Sequence, residues 1–424
     1  MEYNKENAMS DNSQSPRPLE GVTVLDITNA LAGPFATLLL AGLGAKVIKV
    51  ENPAAPDPCR SNAPYLGADG AKLIRNTDGD ISISAINRLR NKLAVTLNLK
   101  HPCTRDVFSD LIRNADVVVE NFSAGVINRL GLDYAFAREI NPRIIYCSIN
   151  GFGNDPAPGT GKAMDAIIQA LSGTMQTSGC PEDPPIRIGI PFGDLCAPLF
   201  GVIGILAALH QVRRTGIGQQ IDVSMLGVLT SLVAGEAFDI LERCGIPLRT
   251  GKTVPRLAPF GIYQCKDGYV AICGPTEPFA MGVFKAMGRP ELAEDERFSN
   301  RDMRVKNVQE LDSLIQSWTR ALPTAEVLAR MDEAGTPAAE VRDPKTAVRD
   351  PRVLARRETV PLMHPKFGAV GDVIGMGFPI HFSDSTVGYD QPPPAVGQHN
   401  QAVYGGILGY SAERIEQLRA EKVI

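Results

Sequence analysis

Three consecutive stretches near the N-terminus set the fold class. Gly21-Val-Thr-Val-Leu-Asp-Ile-Thr28 is a β-rich run. Pro34 to Leu43 reads as a helix, opened by proline and stopped by Gly44. Lys46-Val-Ile-Lys-Val-Glu51 is a second strand. Strand, helix and strand in this order form a βαβ unit, which demands parallel strands covered by helices. Further strands are expected at Asn91–Lys100, Asp116–Glu120, Arg143–Ile149 and Gln219–Ser224. Helices are expected at Thr104–Asn114, Met164–Leu171 and Met225 to about Glu242. The expectation is an α/β fold with a parallel sheet. Ligands on such sheets sit beyond the C-terminal strand ends, here the loops at 28–34, 51–60, 120–123 and 149–165.

The character changes after about residue 245. Gly261 to Cys273 reads as a hairpin turning at Asp267-Gly268, followed by helices at Pro278–Gly288, Asn307–Arg320 and Thr324–Ala334. The expected organisation is a polar, disordered lead-in over 1–17 and a large domain over 18–225, completed by 395–424. A linker helix is expected over 226–244, a small α+β domain over 245–345 and a Pro- and Gly-rich connecting arm over 346–394. A length of 424 residues accommodates this. The net charge of −4 argues against a nucleic-acid binder. The first 17 residues lack the apolar core of a signal peptide. The apolar run from Leu195 to Leu209 looks too short to cross a membrane. The eight cysteines have no CxxC spacing, so neither a metal site nor a disulfide framework is expected, and a cytoplasmic location follows.

One stretch stands out for chemistry: Arg187-Ile-Gly-Ile-Pro-Phe-Gly-Asp194, running into that apolar helix. Asp194 is expected at or beside the helix N-cap, where aspartate is a preferred residue in its own right. Three absences narrow the function. No G-x-G-x-x-G follows the first strand, no phosphate-binding G-x-x-x-x-G-K-[ST] occurs, and no G-x-S-x-G elbow occurs. A nicotinamide dehydrogenase or a serine hydrolase is therefore poorly supported.

An ordered series of motifs resembles the class III CoA-transferases. It comprises Pro18-Leu-Glu-Gly-Val-Thr-Val-Leu-Asp26, Gly42-Leu-Gly-Ala-Lys-Val-Ile-Lys-Val-Glu51, Asn91-Lys92, Ala115-Asp-Val-Val-Val-Glu-Asn-Phe122 and Arg129-Leu-Gly-Leu132. It continues through Asn141-Pro-Arg-Ile-Ile145, Asp165 with Gln169-Ala-Leu-Ser-Gly173, Gly193-Asp194, Thr215-Gly-Ile-Gly-Gln-Gln-Ile-Asp-Val-Ser224 and Gly397-Gln-His-Asn400. The resemblance implies a Rossmann-like parallel-sheet large domain, a smaller α+β domain, long connecting arms and an intertwined dimer. It implies transfer of CoA from an acyl-CoA to a carboxylic acid, with Asp194 as nucleophile and no tightly bound cofactor. Coenzyme A is then a substrate, and the partners are small molecules and a second chain, the same or related. Carried over residue by residue, Leu31 and Ala32, the segment Leu97, Asn98, Leu99 and Lys100, and the trio Asn121, Phe122 and Ser123 would contact CoA. So would Arg129 and the segment Lys162, Ala163, Met164 and Asp165.

The chain departs from the family at two places. The family often has an arginine near Asn52; Arg60 or Arg75 would have to substitute. A Gly-rich lid is missing between 245 and 275, which argues against oxalate and formyl-CoA as substrates. The same fold hosts α-methylacyl-CoA racemases, which need a histidine where this chain has Met164; methionine accepts no proton. A silent subunit of a heteromeric transferase is the other alternative, against which Asp194 argues. Arg75, Arg88, Arg90 and Arg256 are candidates to pair with a second substrate carboxylate, as in succinate.

Overall fold

The computed structural model of the chain describes residues 16–154 and 161–424. Most of the expected lead-in and part of the 149–165 loop lie outside these residues. The chain divides into two compact units. The first comprises the described residues up to Ser172, Gly189–Leu232 and Val348–Ile424, and the second Gly173–Ile188 and Val233–Ala347.

In the first unit six strands pair in parallel: β1 (Thr23–Asp26), β2 (Lys46–Glu51), β3 (Lys92–Thr96), β4 (Val117–Glu120), β5 (Ile145–Asn150) and β6 (Gln220–Ser224). Their spatial order is β3-β2-β1-β4-β5-β6. This is the doubly wound order, in which the winding reverses between β1 and β4 and opens a crevice at their C-terminal ends. Side chains alternate between the faces of a strand, so each strand feeds two cores. Val24, Val47, Val117, Cys147 and Ile149 face one core, with Ala36, Leu40, Ala197 and Ile205. Leu25, Ile48, Val95, Val118 and Tyr146 face the other, with Phe108, Leu111 and Leu418.

The apolar helix is longer than its run of leucines and alanines suggested. It spans Phe192–Thr215, 24 residues. By length and composition it could cross a membrane, which removes the length argument made from the sequence. Its composition has a packing cause. Ala197, Ile205 and Ala208 are fully buried against the sheet. At Gly201 a Cβ would stand 2.9 Å from Ile149 Cδ1, so only glycine lets the helix settle this close to β5. Gly216, in the left-handed region, ends the helix.

Two expected segments take a definite form. The short β runs expected in the Pro- and Gly-rich segment pair with each other. They form an antiparallel hairpin, Thr359–His364 with Gly368–Met376, and belong to the first unit. Its Leu362 packs with Leu66 and Ile86 into a small core of their own. The expected linker over 226–244 is two helices, Met225–Val233 and Phe238–Arg243, interrupted at Ala234-Gly235, where glycine disfavours helix.

The second unit is α+β. Strands Phe260–Gln264, Tyr269–Cys273 and Ala338–Glu340 form an antiparallel sheet beside helices Glu277–Ala286, Val308–Arg320 and Thr324–Glu333. Val270, Ile272, Phe284, Leu311 and Ile315 form its core. Asp267 does more than turn the hairpin. Its Oδ1 accepts the Thr324 N–H and the Thr324 hydroxyl, both at 2.7 Å, and so holds the start of the last of these helices.

Candidate active site

The crevice between β1 and β4 is built from backbone held by buried charge. Asn121, one residue beyond β4, clasps Asn29 beyond β1. Its Oδ1 accepts the Asn29 N–H at 2.7 Å and its Nδ2 donates to the Asn29 carbonyl at 2.9 Å. At Gly33 a Cβ would lie 2.3 Å from Thr28 Cβ, so the turn into the next helix requires glycine. Ala30 adopts a φ of 66°, unusual for a residue with a side chain. Two bonds hold it there: its N–H donates to Asp57 Oδ1 at 3.0 Å, and its carbonyl accepts from Arg88 at 2.9 Å.

Beneath this loop lie fully buried charges. Lys92 Nζ reaches Asp26 Oδ2 at 3.0 Å, the Pro34 carbonyl at 2.9 Å and Thr37 Oγ1 at 2.7 Å. Lys49 Nζ donates to the Thr28 carbonyl and lies 3.0 Å from Asp57 Oδ2. Burial alone would raise the Asp26 carboxyl, but Lys49 and Lys92 outweigh it and hold it well below the carboxylate range. None of these residues was singled out from sequence as part of the site. The available signal was a lysine inside each of two apolar strand runs.

Asp194 is partly buried in the first turn of the Phe192–Thr215 helix. It is not the N-cap; that position is Pro191, whose side chain cannot cap. The cap comes from Asp165, at the start of the Asp165–Leu171 helix. Asp165 Oδ1 accepts the Gly193 N–H at 2.8 Å and lies 3.4 Å from the Asp194 N–H. Gly193 makes room for this carboxylate, since a Cβ there would point at Asp165, Met225 and Ile168; the missing side chain serves the cap. The same bonds occupy the Gly193 and Asp194 N–H groups, which are then not free to hold a developing oxyanion. Further along, Pro198 has no N–H, so the Asp194 carbonyl lacks its usual partner four residues on.

The helix N-terminus should favour an ionised Asp194. Burial wins instead, followed by the negative charge of Asp165, with Arg88 pulling the other way; together they push the Asp194 carboxyl up to about 6. About nine carboxyls in ten are then ionised at pH 7, and the carboxylate is more basic, hence more nucleophilic, than a free one.

The other expected site residues lie along the C-terminal edge of the sheet. Leu31 and Ala32 follow β1, Leu97 to Lys100 follow β3, and Asn121, Phe122 and Ser123 follow β4. Lys162 to Asp165 precede and open the Asp165–Leu171 helix, with Met164 exposed at its N-cap. Arg129 is exposed at the end of the short Val126–Arg129 helix. Ala32 and Leu97 are core residues, at 3% and 0% exposure, and present almost no surface to a ligand.

Of the four arginines considered for a second carboxylate, only Arg88 acts on Asp194. Arg75 lies over the Tyr65 ring, and Arg90 is buried over the Tyr389 ring and donates to the Met376 carbonyl at 2.6 Å. Arg256 pairs with Glu236 at 2.7 Å. Arg60 cannot stand in for the arginine missing near Asn52. Its Nε and NH2 grip Glu51 and its NH1 donates to the Pro394 carbonyl.

The fold is of the doubly wound α/β class, and Asp194 is a carboxylate of raised basicity in the first turn of one of its helices. The chain belongs to CoA-transferase family III, whose sequence model matches residues 19–400. It is 32% identical over 410 residues to a succinyl-CoA–D-citramalate CoA-transferase of Chloroflexus aurantiacus, covering 96% of this chain and 98% of that one. It is 34% identical to a mouse succinyl-CoA:glutarate CoA-transferase, covering 97% and 91%, and 34% identical to a formyl-CoA:oxalate CoA-transferase of Streptomyces coelicolor, covering 96% and 99%. A crystal structure of a CAIB/BAIF family protein from Brucella suis superposes with a TM-score of 0.77 at 32% identity, covering 93% of this chain and 100% of that one. The chain is therefore a class III CoA-transferase.

Proposed function

We propose that the enzyme moves CoA between two carboxylic acids through covalent intermediates on Asp194, and that at least one of the acids is a dicarboxylic acid such as succinate. The observation that carries this is a basic, half-buried Asp194 whose charge is partly offset by Arg88, a cation that also donates to the Ala30 carbonyl at the crevice loop. Citramalate, glutarate and oxalate, which appear in the relatives' names, are all dicarboxylates.

The chemistry balances without any added proton. An Asp194 carboxylate oxygen attacks the acyl-CoA carbonyl, the C–S bond breaks, and CoA leaves as thiolate. The resulting mixed anhydride is attacked by the thiolate at the Asp194 carbonyl, which releases the donor acid and leaves an aspartyl-CoA thioester. The acceptor carboxylate then attacks that carbonyl and expels the thiolate. The thiolate attacks the acceptor's acyl carbon, forming the new CoA ester and freeing Asp194. Raised basicity makes Asp194 the poorer leaving group of each anhydride, which favours formation of the aspartyl-CoA thioester from the first and slows release of Asp194 from the second. Met164 offers no base on the opposite side of a substrate, so proton exchange next to the thioester gains no support from this site.

Incubating the protein with succinyl-CoA should leave a CoA adduct on the peptide containing Asp194, read by mass spectrometry. Exchange of the proton beside the thioester into deuterated water, with no adduct from any acyl-CoA in a panel, would replace the transferase reading by the racemase one. Arg88→Met should raise the KM for a dicarboxylic acceptor about 10- to 100-fold, the worth of one charge-assisted hydrogen bond, measured by steady-state kinetics. Arg88→Lys should recover part of that loss, because lysine keeps the charge without the fork.

A further inference from the structure

We infer that Asp165 is a positioning residue for the Asp194 reaction: by capping the helix in place of Asp194, its carboxylate leaves the nucleophile free and fixes its direction. The inference rests on the reading of Asp194 as nucleophile and adds a residue to it.

The start of the Phe192–Thr215 helix has an unmet need. The first N–H groups of a helix have no partner within the helix, and some acceptor must meet them. Here the N-cap is proline and its neighbours before the first turn are Gly189 and Ile190, so no local side chain can serve. An aspartate in the first turn is the nearest acceptor in the chain. Left alone, Asp194 would satisfy that need itself and turn its oxygens into the helix end, away from a substrate. Asp165 prevents this from another helix, 2.8 Å from the Gly193 N–H. Its second oxygen is also committed, accepting Gln169 Nε2 at 2.7 Å, and the same Gln169 amide donates to the Ile190 carbonyl at 3.3 Å. The Asp165–Leu171 helix thus grips the chain on both sides of Pro191, through one carboxylate and one amide. Gln169 is fully buried, so this grip is part of the core and does not depend on solvent.

A neutral acceptor would cap as well, but a carboxylate also acts on Asp194 at close range. The charged groups acting on Asp194 are Asp165, from the helix it packs beside, and Arg88, from the Ile83–Arg88 helix; Asp57 and Cys59 act in turn on Arg88. Asp165 raises the basicity of Asp194 and Arg88 lowers it. Capping and tuning therefore come from one side chain, and two substitutions separate them. Asp165→Asn keeps an oxygen for the Gly193 N–H and removes the charge. Asp165→Ala removes both.

The test compares kcat/KM against pH, kcat and KM at neutral pH, and the CoA adduct at Asp194, for the wild-type enzyme and both variants. With Asp165→Asn, loss of a like charge makes Asp194 more acidic, so the acid limb moves to lower pH by at least about half a unit. With Asp165→Ala, kcat falls about 100-fold from misplacement of the nucleophile, while KM for the acyl-CoA changes far less. An acid limb that stays in place in Asp165→Asn overturns the inference, as does a wild-type kcat in a folded Asp165→Ala. Should the alanine variant fail to fold, Asp165→Glu, which keeps the charge and displaces the cap by one methylene, decides the positioning claim: a lowered kcat supports it and a wild-type kcat overturns it. Absence of any adduct on wild-type Asp194 is a different failure, which removes the nucleophile reading itself.

Discussion

Asp194→Asn lowers kcat by about 10⁴-fold or more, the loss expected when a covalent nucleophile is removed, with Asp194→Ala as a control against slow deamidation. The KM for the acyl-CoA should change little, because the loops proposed to contact CoA follow the strands and do not depend on this carboxyl. Stability should move the opposite way. In the folded chain the Asp194 carboxyl sits at about 6 against an ordinary 3.8, so the ionised form is disfavoured by folding. A group raised in this way leaves stability intact at low pH and subtracts from it as pH rises through the folded value. Asp194→Asn removes that penalty. Its free energy of unfolding should match the wild type near pH 3 and exceed it near pH 7.5, by on the order of 1 kcal/mol once partial exposure is allowed for. A dead enzyme that is also more stable is what a strained active-site charge produces; a merely structural aspartate would lose stability on replacement.

Much of the scaffold was legible because it follows from local pattern. The alternation in Gly21–Thr28 and Lys46–Glu51 and the turn residues between them specify the first crossover, which the structure places at β1 and β2. The small hairpin and its helices were visible for the same reason. What stayed hidden depended on residues distant in sequence. Asp194 looked like a cap because aspartate before an apolar run usually is one; that Asp165 had taken the position required knowing that two helix starts meet. The hairpin at 359–376 reads as irregular because its strands mix Val and Ile with Gly371 and Gly375. At Gly375 a Cβ would stand 2.4 Å from Leu362 Cδ2, so the glycine that weakens the strand signal is required by the pairing. Arg88 was one of four equivalent arginines until the fold put it, by its charge, under the influence of Asp194, and put Arg90 on the Met376 carbonyl and Arg256 on Glu236.

The lysines inside the strands provide the second large effect. Lys92→Met should lower the free energy of unfolding by about 3 kcal/mol, measured by urea denaturation, because breaking a buried pair leaves its partner charged and less compensated. The removed ammonium gives up Asp26, the Pro34 carbonyl and the Thr37 hydroxyl together. Lys49, 3.7 Å from Asp26, keeps the remaining carboxylate from being wholly unpaired, which holds the cost to the lower end for such pairs. The pH dependence tests the assignment to Asp26. Its carboxyl is held below the usual range, so its contribution is present above the ordinary carboxylate value and is lost as pH falls through the folded one. The difference between wild type and Lys92→Met should therefore be full at pH 7 and shrink in strong acid. The same variant should also reduce kcat, since Pro34 and Thr37 lie in the helix that follows the Asn29–Gly33 turn, and that turn is one wall of the crevice. Loss of stability with unchanged kcat would mean that the buried charges support only the sheet and that Asp57 and Asn121 alone hold the turn.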